Sequence, residues 1–346
     1  MPLLPFTTAV LEDWIPDSST GLNSLSNELF DNVLRDLSTR DLVRLAKTNK
    51  RYEDLAVDFC RRSYDVTKVL SKHFTDQELR RLQWLLKVTG AIISGSTALQ
   101  LFERMDYEGS DCDIYVEDKA AAPWLLWLSF RYRRTSINTE GPPEQYRGNA
   151  ICAVHTFVRA IADGRPSTVQ IITTHNSPLE GVFGFGLSCV MNFITHESAY
   201  SLSPYLTSQH RTLVTNIIHD PNIPLYQKYL RRKFKFLAPP DDLCAHRETR
   251  YIGDKKTFKV NKIWSRVSAL GGSAVSLFDF INTFDVVDGN PTLLDYEALK
   301  PAELEVPYTM ANNNGVRETV NKALRENKCG LGVQEALKEF FENGDV

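Results

Sequence analysis

Asp111 and Asp113 stand one residue apart in SDCDIYV, and a Gly95-Ser96 pair sits upstream in IISGSTALQLF. On a strand, alternate residues point to one face, so the spacing turns both carboxylates to the same side and Cys112 away. Two hard oxygen donors on a rigid strand suit a Mg²⁺ ion that bridges to phosphates. A Gly-Ser turn opening a helix offers backbone N–H groups, a hydroxyl and the positive end of the helix dipole to a phosphate. Glycine there permits close backbone approach. Gly95 and Ser96 are thus candidate phosphate-binding residues, and Asp111 and Asp113 are candidate metal ligands and catalytic carboxylates. The competing explanation is a strand-edge pair that caps backbone amides or faces solvent.

Such groups need elements to hold them. Ile92-Ile93 predicts a short buried strand, 97–105 a helix and 111–116 a strand. AICAVHTFVRAI and STVQIITT, separated by a Gly-containing loop, predict a hairpin. GLSCVMNFI reads as a buried helix, and TRYIGDKKTFKV as a second hairpin around Gly-Asp. TDQELRRLQWLLKVTG, 75–90, predicts a helix leading into this body. Before it, 22–64 has leucines and their substitutes at three- and four-residue steps, with Ser26 and Ser38 or Thr39 placed to cap helix starts. Residues 1–21, with Pro2, Pro5 and Pro16, read as an irregular lead-in. The expected fold class is α+β: a small all-helical module over 22–64, then a mixed-sheet domain with flanking helices and a C-terminal extension over 75–346.

The strand, Gly-Ser, helix and Asp-x-Asp strand together resemble the nucleotidyltransferase superfold. The resemblance implies that Gly95 and Ser96 bind the nucleotide, that Asp111 and Asp113 bind Mg²⁺, and that the activity is metal-dependent nucleotidyl transfer. Active members carry a third carboxylate on a neighbouring strand. The matching position here, within STVQIITT, is Gln170. An amide oxygen accepts a hydrogen bond but brings no charge, which leaves two outcomes open, a working transferase and a degenerate fold that binds a nucleotide or nothing. Asp163 lies in the preceding loop, and no spacing argument brings it to the metal.

The stretch LNSLSNELFDNVLRDLSTRDLVRLAKTNKRYEDLA resembles an F-box, with Leu25-Ser26 where the family pattern has Leu-Pro. Leu29, Val33 and Leu37 form one apolar stripe and Leu42, Leu45 and Ala46 another, more apolar face than so short a module can bury on itself. The resemblance implies a Skp-type adaptor of a cullin ubiquitin ligase as partner, with Leu25, Leu29, Val33, Leu37, Leu42 and Leu45 as contacts and an adaptor or substrate-receptor role. Packing against the rest of the chain explains the same pattern. Over most of 22–260 the chain is similar to a group of fungal proteins that join an F-box-like start to a nucleotidyltransferase-like body.

Composition narrows the field. With 346 residues, 42% of them hydrophobic, the chain can bury a substantial core, and a formal charge of -3 does not announce a nucleic-acid or membrane partner. Six cysteines without a CxxC pair favour a reducing compartment and give no zinc signature. The longest apolar run, AAAPWLLWLSF, is far short of the ~20 residues a spanning helix needs. The expectation is a soluble protein of the cytoplasm or nucleus. Basic residues dominate 228–266 beside Phe234, Phe236, Tyr251 and Phe258. This pattern fits a solvated face, and it also fits triphosphate or polynucleotide contacts. His196-Glu197 lacks the zinc-protease spacing, and His155 reads as a packed strand residue.

Overall fold

Ser26 and Ser38 open the first two helices: their hydroxyls accept hydrogen bonds from the backbone N–H groups of Leu29 and Asp41. Each satisfies a donor that the first helical turn leaves free. The helices are α1 (Asn27–Asp36), α2 (Thr39–Ala46) and α3 (Lys50–Ser63). The computed structural model describes residues 21–138, 150–160, 166–175, 177–214, 224–237, 247–248, 252, 257–261, 263–264, 293–294, 322 and 326. The chain divides into two units, Met1–Phe59 and Cys60–Val346.

In the first unit the buried residues of α1 are Phe30 and Leu34, and Phe30 stacks on Tyr52 with ring centroids 5.3 Å apart. Leu42, Val43 and Ala46 are buried on α2. Leu29 is 54% exposed, while Leu25, Val33, Leu37 and Leu45 are half-buried. The expected stripe Leu29, Val33 and Leu37 therefore borders the core, and the stripe shifted by one residue fills it. A phenylalanine one position along buries more apolar area than a leucine, which settles the rotation of the helix.

The second unit continues with α4 (Val66–Leu70) and α5 (Asp76–Thr89). Thr75 and Glu78 form a reciprocal capping box at the start of α5, and Gly90 ends it in the left-handed conformation at φ 66°. Both signals are explicit in TDQE and TG. Glu78 also receives the Arg159 guanidinium at 2.8 Å, which fastens α5 to the sheet. Then follow β1 (Ile92–Ser94), α6 (Gly95–Glu103), β2 (Cys112–Glu117), α7 (Ala122–Ser129), β3 (Arg133–Asn138), β4 (Ile151–Ala160), β5 (Pro166–Thr174) and α8 (Pro178–Phe183). The remaining elements are β6 (Asn192–Ile194), β7 (Ala199–Ser201), α9 (Pro204–Ser208), β8 (Arg211–Leu213), α10 (Pro224–Arg231), β9 (Lys235–Leu237), β10 (Arg247–Glu248), β11 (Phe258–Val260) and β12 (Leu293–Leu294).

Eight strands make one mixed sheet in the order β11-β7-β6-β1-β2-β5-β4-β3. The β2·β5 pair is parallel, and the other neighbours in this sheet are antiparallel. The fold class is α+β with a large mixed sheet. Ile92, Leu99, Tyr115, Val154, Ile172, Leu179 and Phe193 belong to its principal apolar core, and β2 is central and apolar on both faces at Ile114, Tyr115 and Val116.

Three expectations shift. The helix begins at Gly95, two residues before the predicted start, so the Gly-Ser turn is itself its first turn. GLSCVMNFI is not a helix: it forms a single 3₁₀ turn at Ser188–Val190 and then β6, which pairs with both β1 and β7. A short continuous apolar run is ambiguous between helix and buried strand, and here tertiary pairing decides. In TRYIGDKKTFKV, Phe258–Val260 pairs with Ala199–Ser201. Residues 249–251 and 253–256 of that predicted hairpin, the lead-in 1–20, and Asp163 lie outside the described residues. Cys60, Cys112 and Cys189 are buried free thiols that act as small core residues.

Candidate functional site

β1 delivers the chain to Gly95 next to β2. Ser94 pairs with Asp113 across the antiparallel β1·β2 ladder, and the Ser94 hydroxyl donates to the Asn192 carbonyl at 2.5 Å. The next residue, Gly95, has φ 66°, and a Cβ there would stand 2.6 Å from Asp113 Oδ2. Two constraints, a left-handed backbone and the approach of a carboxylate, therefore select glycine at this turn. The sequence singled out Gly95 as a candidate for a phosphate-binding turn, and the structure places this turn against Asp113.

Asp111 and Asp113 line a common cavity of about 170 Å³ together with Gly95, Ser96, Gln170, Phe185, Val190, Pro224, Leu225, Lys228 and Tyr229. Asp111 lies one residue before the start of β2, and Asp113 is the second residue of that strand. Both carboxylates are half-buried. Burial, followed by the charge of Asp111, pushes Asp113 up to about 7, with Lys228 opposing. Burial also raises Asp111, against the pull of Lys228 and a hydrogen bond from Thr168. Two crowded carboxylates disfavour joint ionisation, and a cation placed between them relieves that cost.

Gln170 occupies the position across the parallel β2·β5 ladder from Asp113. The side chain lines the cavity. Among the described residues no cluster of three or more His, Cys, Asp or Glu side chains is placed to hold a metal. The donor set is therefore two carboxylates and one amide oxygen. It fits one Mg²⁺ ion whose remaining ligands are water and phosphate, the usual manner in which this ion is held.

The opposite wall comes from α10, which the sequence left as one of two readings of a basic stretch. Leu225, Lys228, Tyr229 and Arg232 recur at i, i+3, i+4 and i+7, one face of a helix that starts with Pro224 and extends by the Arg232 N–H to Lys228 carbonyl bond. Tyr229 is buried, and its hydroxyl is 3.1 Å from Ser96 Oγ. Arg232 donates to Ser96 Oγ and to Ser110 Oγ, each at 3.0 Å, and its guanidinium lies 3.8 Å from the Tyr107 ring centre. Burial lowers the affinity of Lys228 for its proton, the neighbouring Arg232 lowers it further, and the two aspartates oppose. Lys228 thus shares the cavity with the two aspartates, and Arg232 stands at its wall behind Ser96. The helical spacing that reveals Lys228 and Arg232 was present in PLYQKYLRRKF, but cations and aromatics on one stripe read equally well as a solvated face.

His155 sits in the middle of β4, paired with Ile137 and Ile171, away from this cavity. The His196 carbonyl accepts a hydrogen bond from Gln83 at 2.9 Å. Leu25, Leu29, Val33, Leu37, Leu42 and Leu45 all belong to the amino-terminal unit, where Leu42 is part of the core. Among the described residues no helix is long and apolar enough to cross a membrane.

No family model matches the chain, and no curated protein matches it. Similar solved structures include a CCA-adding enzyme in its apo form I and a CCA-adding enzyme in complex with CTP. Each superposes with a TM-score of 0.33 at 13% identity. The overlaps cover 50% and 52% of this chain and 42% and 44% of theirs, so the match spans less than half of either structure. Overlap at that level decides neither fold family nor function.

Proposed function

We propose that the cavity of the second unit is a nucleotidyltransferase-like site that binds a Mg²⁺-nucleotide. The observation that carries this reading is the junction of Gly95 with Asp113: the phosphate turn and the carboxylate pair share one wall, and Lys228 faces them across the cavity. Asp111 and Asp113 hold the metal, whose part is to neutralise and polarise the phosphoryl oxygens. Ser96 with Arg232, and Lys228, receive the phosphate tail. Phe185, Val190, Pro224 and Leu225 offer the apolar side against which a base or sugar rests. Gln170 removes the third negative charge, so the reading assigns the site firm binding and weak transfer.

The test is thermal stabilisation by each of the four nucleoside triphosphates with Mg²⁺, followed by incorporation assays. At least one triphosphate is expected to raise the melting temperature of the wild type and to lose that effect in Lys228→Met. A chain that none of the four stabilises is not a nucleotide-binding protein of this kind.

A second reading concerns Leu22–Tyr64, as an F-box-like module that docks a Skp-type adaptor of a cullin ubiquitin ligase. Its support is one observation, the exposure of Leu29 at 54% and Leu22 at 42% beside a core already filled by Phe30, Leu34 and Leu42. Exposed leucines are available to a partner, and a docking surface needs them to form one contiguous patch. Co-purification with such an adaptor, lost in Leu29→Asp, is the expected result, and undiminished capture by that variant removes the reading.

A further inference from the structure

Behind the cavity lies a buried polar cluster that the binding of a nucleotide does not itself require. Glu103, the last residue of α6, has a side chain only 4% exposed. Its Oε2 accepts a hydrogen bond from the Tyr107 hydroxyl, and its Oε1 lies 3.3 Å from His210 Nδ1. The Tyr107 ring in turn supports the Arg232 guanidinium at 3.8 Å, and Arg232 grips Ser96 and Ser110 at the cavity wall. His210 is held in a left-handed backbone conformation at φ 51°. Its N–H donates to the Thr207 carbonyl at 2.9 Å, and its carbonyl accepts from the Lys235 N–H at 2.7 Å. The imidazole packs on the Phe234 ring at 5.4 Å and is 45% exposed, so it joins the buried cluster to solvent.

We propose that Glu103 is a positioning residue for the phosphate-binding wall: through Tyr107 it holds Arg232 against Ser96, and its own ionisation couples that grip to solution pH. The inference rests on the reading of the cavity as a phosphate site. While Glu103 carries its proton, the buried carboxyl is neutral and leaves Arg232 to Ser96 and Ser110. When that proton leaves, a bare carboxylate remains in a buried place, and its near cation is Arg232. Attraction between unlike charges is strong in such surroundings, and it draws the guanidinium from the ligand toward Glu103.

Among the described residues, few groups face Glu103. Arg232 comes from the end of α10, Tyr107 from the loop after α6, His210 from the turn before β8, and Cys189 from the 3₁₀ turn before β6. Arg104 follows it on its own element. Burial pushes the Cys189 thiol up to about 12, so it stays neutral. Burial likewise pushes Glu103 up to about 8, against the pull of Arg232, which places the loss of the proton just above neutrality.

The experiment titrates the full chain with inorganic tripolyphosphate and with ATP, in Mg²⁺, from about pH 6.5 to about pH 9.5, in wild type, Glu103→Gln and Tyr107→Phe. Wild-type affinity is expected to fall about three- to tenfold above pH 8 beyond any fall in Glu103→Gln, whose amide cannot ionise. Tyr107→Phe keeps the ring beneath the guanidinium and the ionisable carboxyl but loses the hydroxyl that ties them together, so its affinity at about pH 6.5 is expected to be below that of wild type while the fall above pH 8 is retained. Asp113 titrates alike in all three proteins, so the difference between the curves belongs to Glu103. A Glu103→Gln profile that matches wild type, or a Tyr107→Phe affinity equal to wild type at about pH 6.5, overturns the relay and leaves the phosphate site standing. Absence of binding at every pH overturns the phosphate site, and the relay with it.

Discussion

Asp113 and Gln170 stand opposite one another across the parallel pair β2·β5, an acid on one strand and an amide on the next. Both line the same cavity, and Lys228 reaches it from α10. The site therefore has fewer negative charges than a two-metal transfer centre requires, and it carries a lysine close to them. Restoring the charge is a direct test. Gln170→Glu is expected to tighten Mg²⁺-dependent triphosphate binding by roughly tenfold, the equivalent of ~1.4 kcal/mol, and to raise any nucleotide incorporation. Calorimetric titration with and without Mg²⁺ reads the first effect, and a labelled-triphosphate assay the second. An unchanged metal dependence would show that position 170 does not face the ion.

Gly95→Ala meets both a positive φ and the Asp113 carboxylate 2.6 Å from the new methyl group. The expected cost is about 1–3 kcal/mol of stability, together with loss of triphosphate binding, since the turn and the carboxylate must part. Chemical denaturation and a binding titration check the two effects. A variant as stable as wild type would mean that the turn relaxes without strain.

Stability should depend on pH through Asp113 and Glu103. Both carboxyl groups are raised by burial, to about 7 and about 8. A raised carboxyl favours the folded state while protonated, so its contribution is complete below the ordinary carboxylate range near 4 and is lost as pH rises through 7 and then 8. The melting temperature is expected to fall between about pH 6 and about pH 9, and Asp113→Asn to recover part of that fall, at about 2–4 °C per kcal/mol. Differential scanning calorimetry over that range settles it. A melting temperature that does not change from pH 6 to 9 contradicts the burial of these charges.

Arg232→Lys keeps the charge but gives up the fork that reaches Ser96 and Ser110 and the flat contact with Tyr107. Triphosphate affinity is expected to fall by about tenfold, because a lysine cannot make both bonds from one planar group. Equal affinity in the two proteins would place Arg232 in a purely structural role.

Much of this was readable from residues. The helix over 75–90, the strand–turn–helix–strand run that starts at Ile92, and the pairing of β4 with β5 follow local rules, and each is found. Gln170 was located from its apolar neighbours, and the ladder puts it opposite Asp113. The misreadings share a cause. GLSCVMNFI is apolar throughout, and only its pairing with β1 and β7 makes Asn192–Ile194 a strand. Lys228 and Arg232 became part of the site through the docking of α10, which brings residues more than a hundred positions apart into contact, as Arg232 does with Ser96. Glu103 and His210 have no motif at all, and their proximity follows from the same long-range packing.

The central claim is that Asp111 and Asp113 hold the metal of a bound nucleotide, and calorimetry on the double variant Asp111→Asn, Asp113→Asn tests it most directly. The measurement uses the triphosphate that most stabilises the wild type, with Mg²⁺ present and then replaced by a chelator. The account predicts binding by the wild type in Mg²⁺, weakened by the chelator, and no Mg²⁺-dependent binding by the folded double variant. Equal binding by the two proteins in Mg²⁺, or no binding by the wild type, would contradict it.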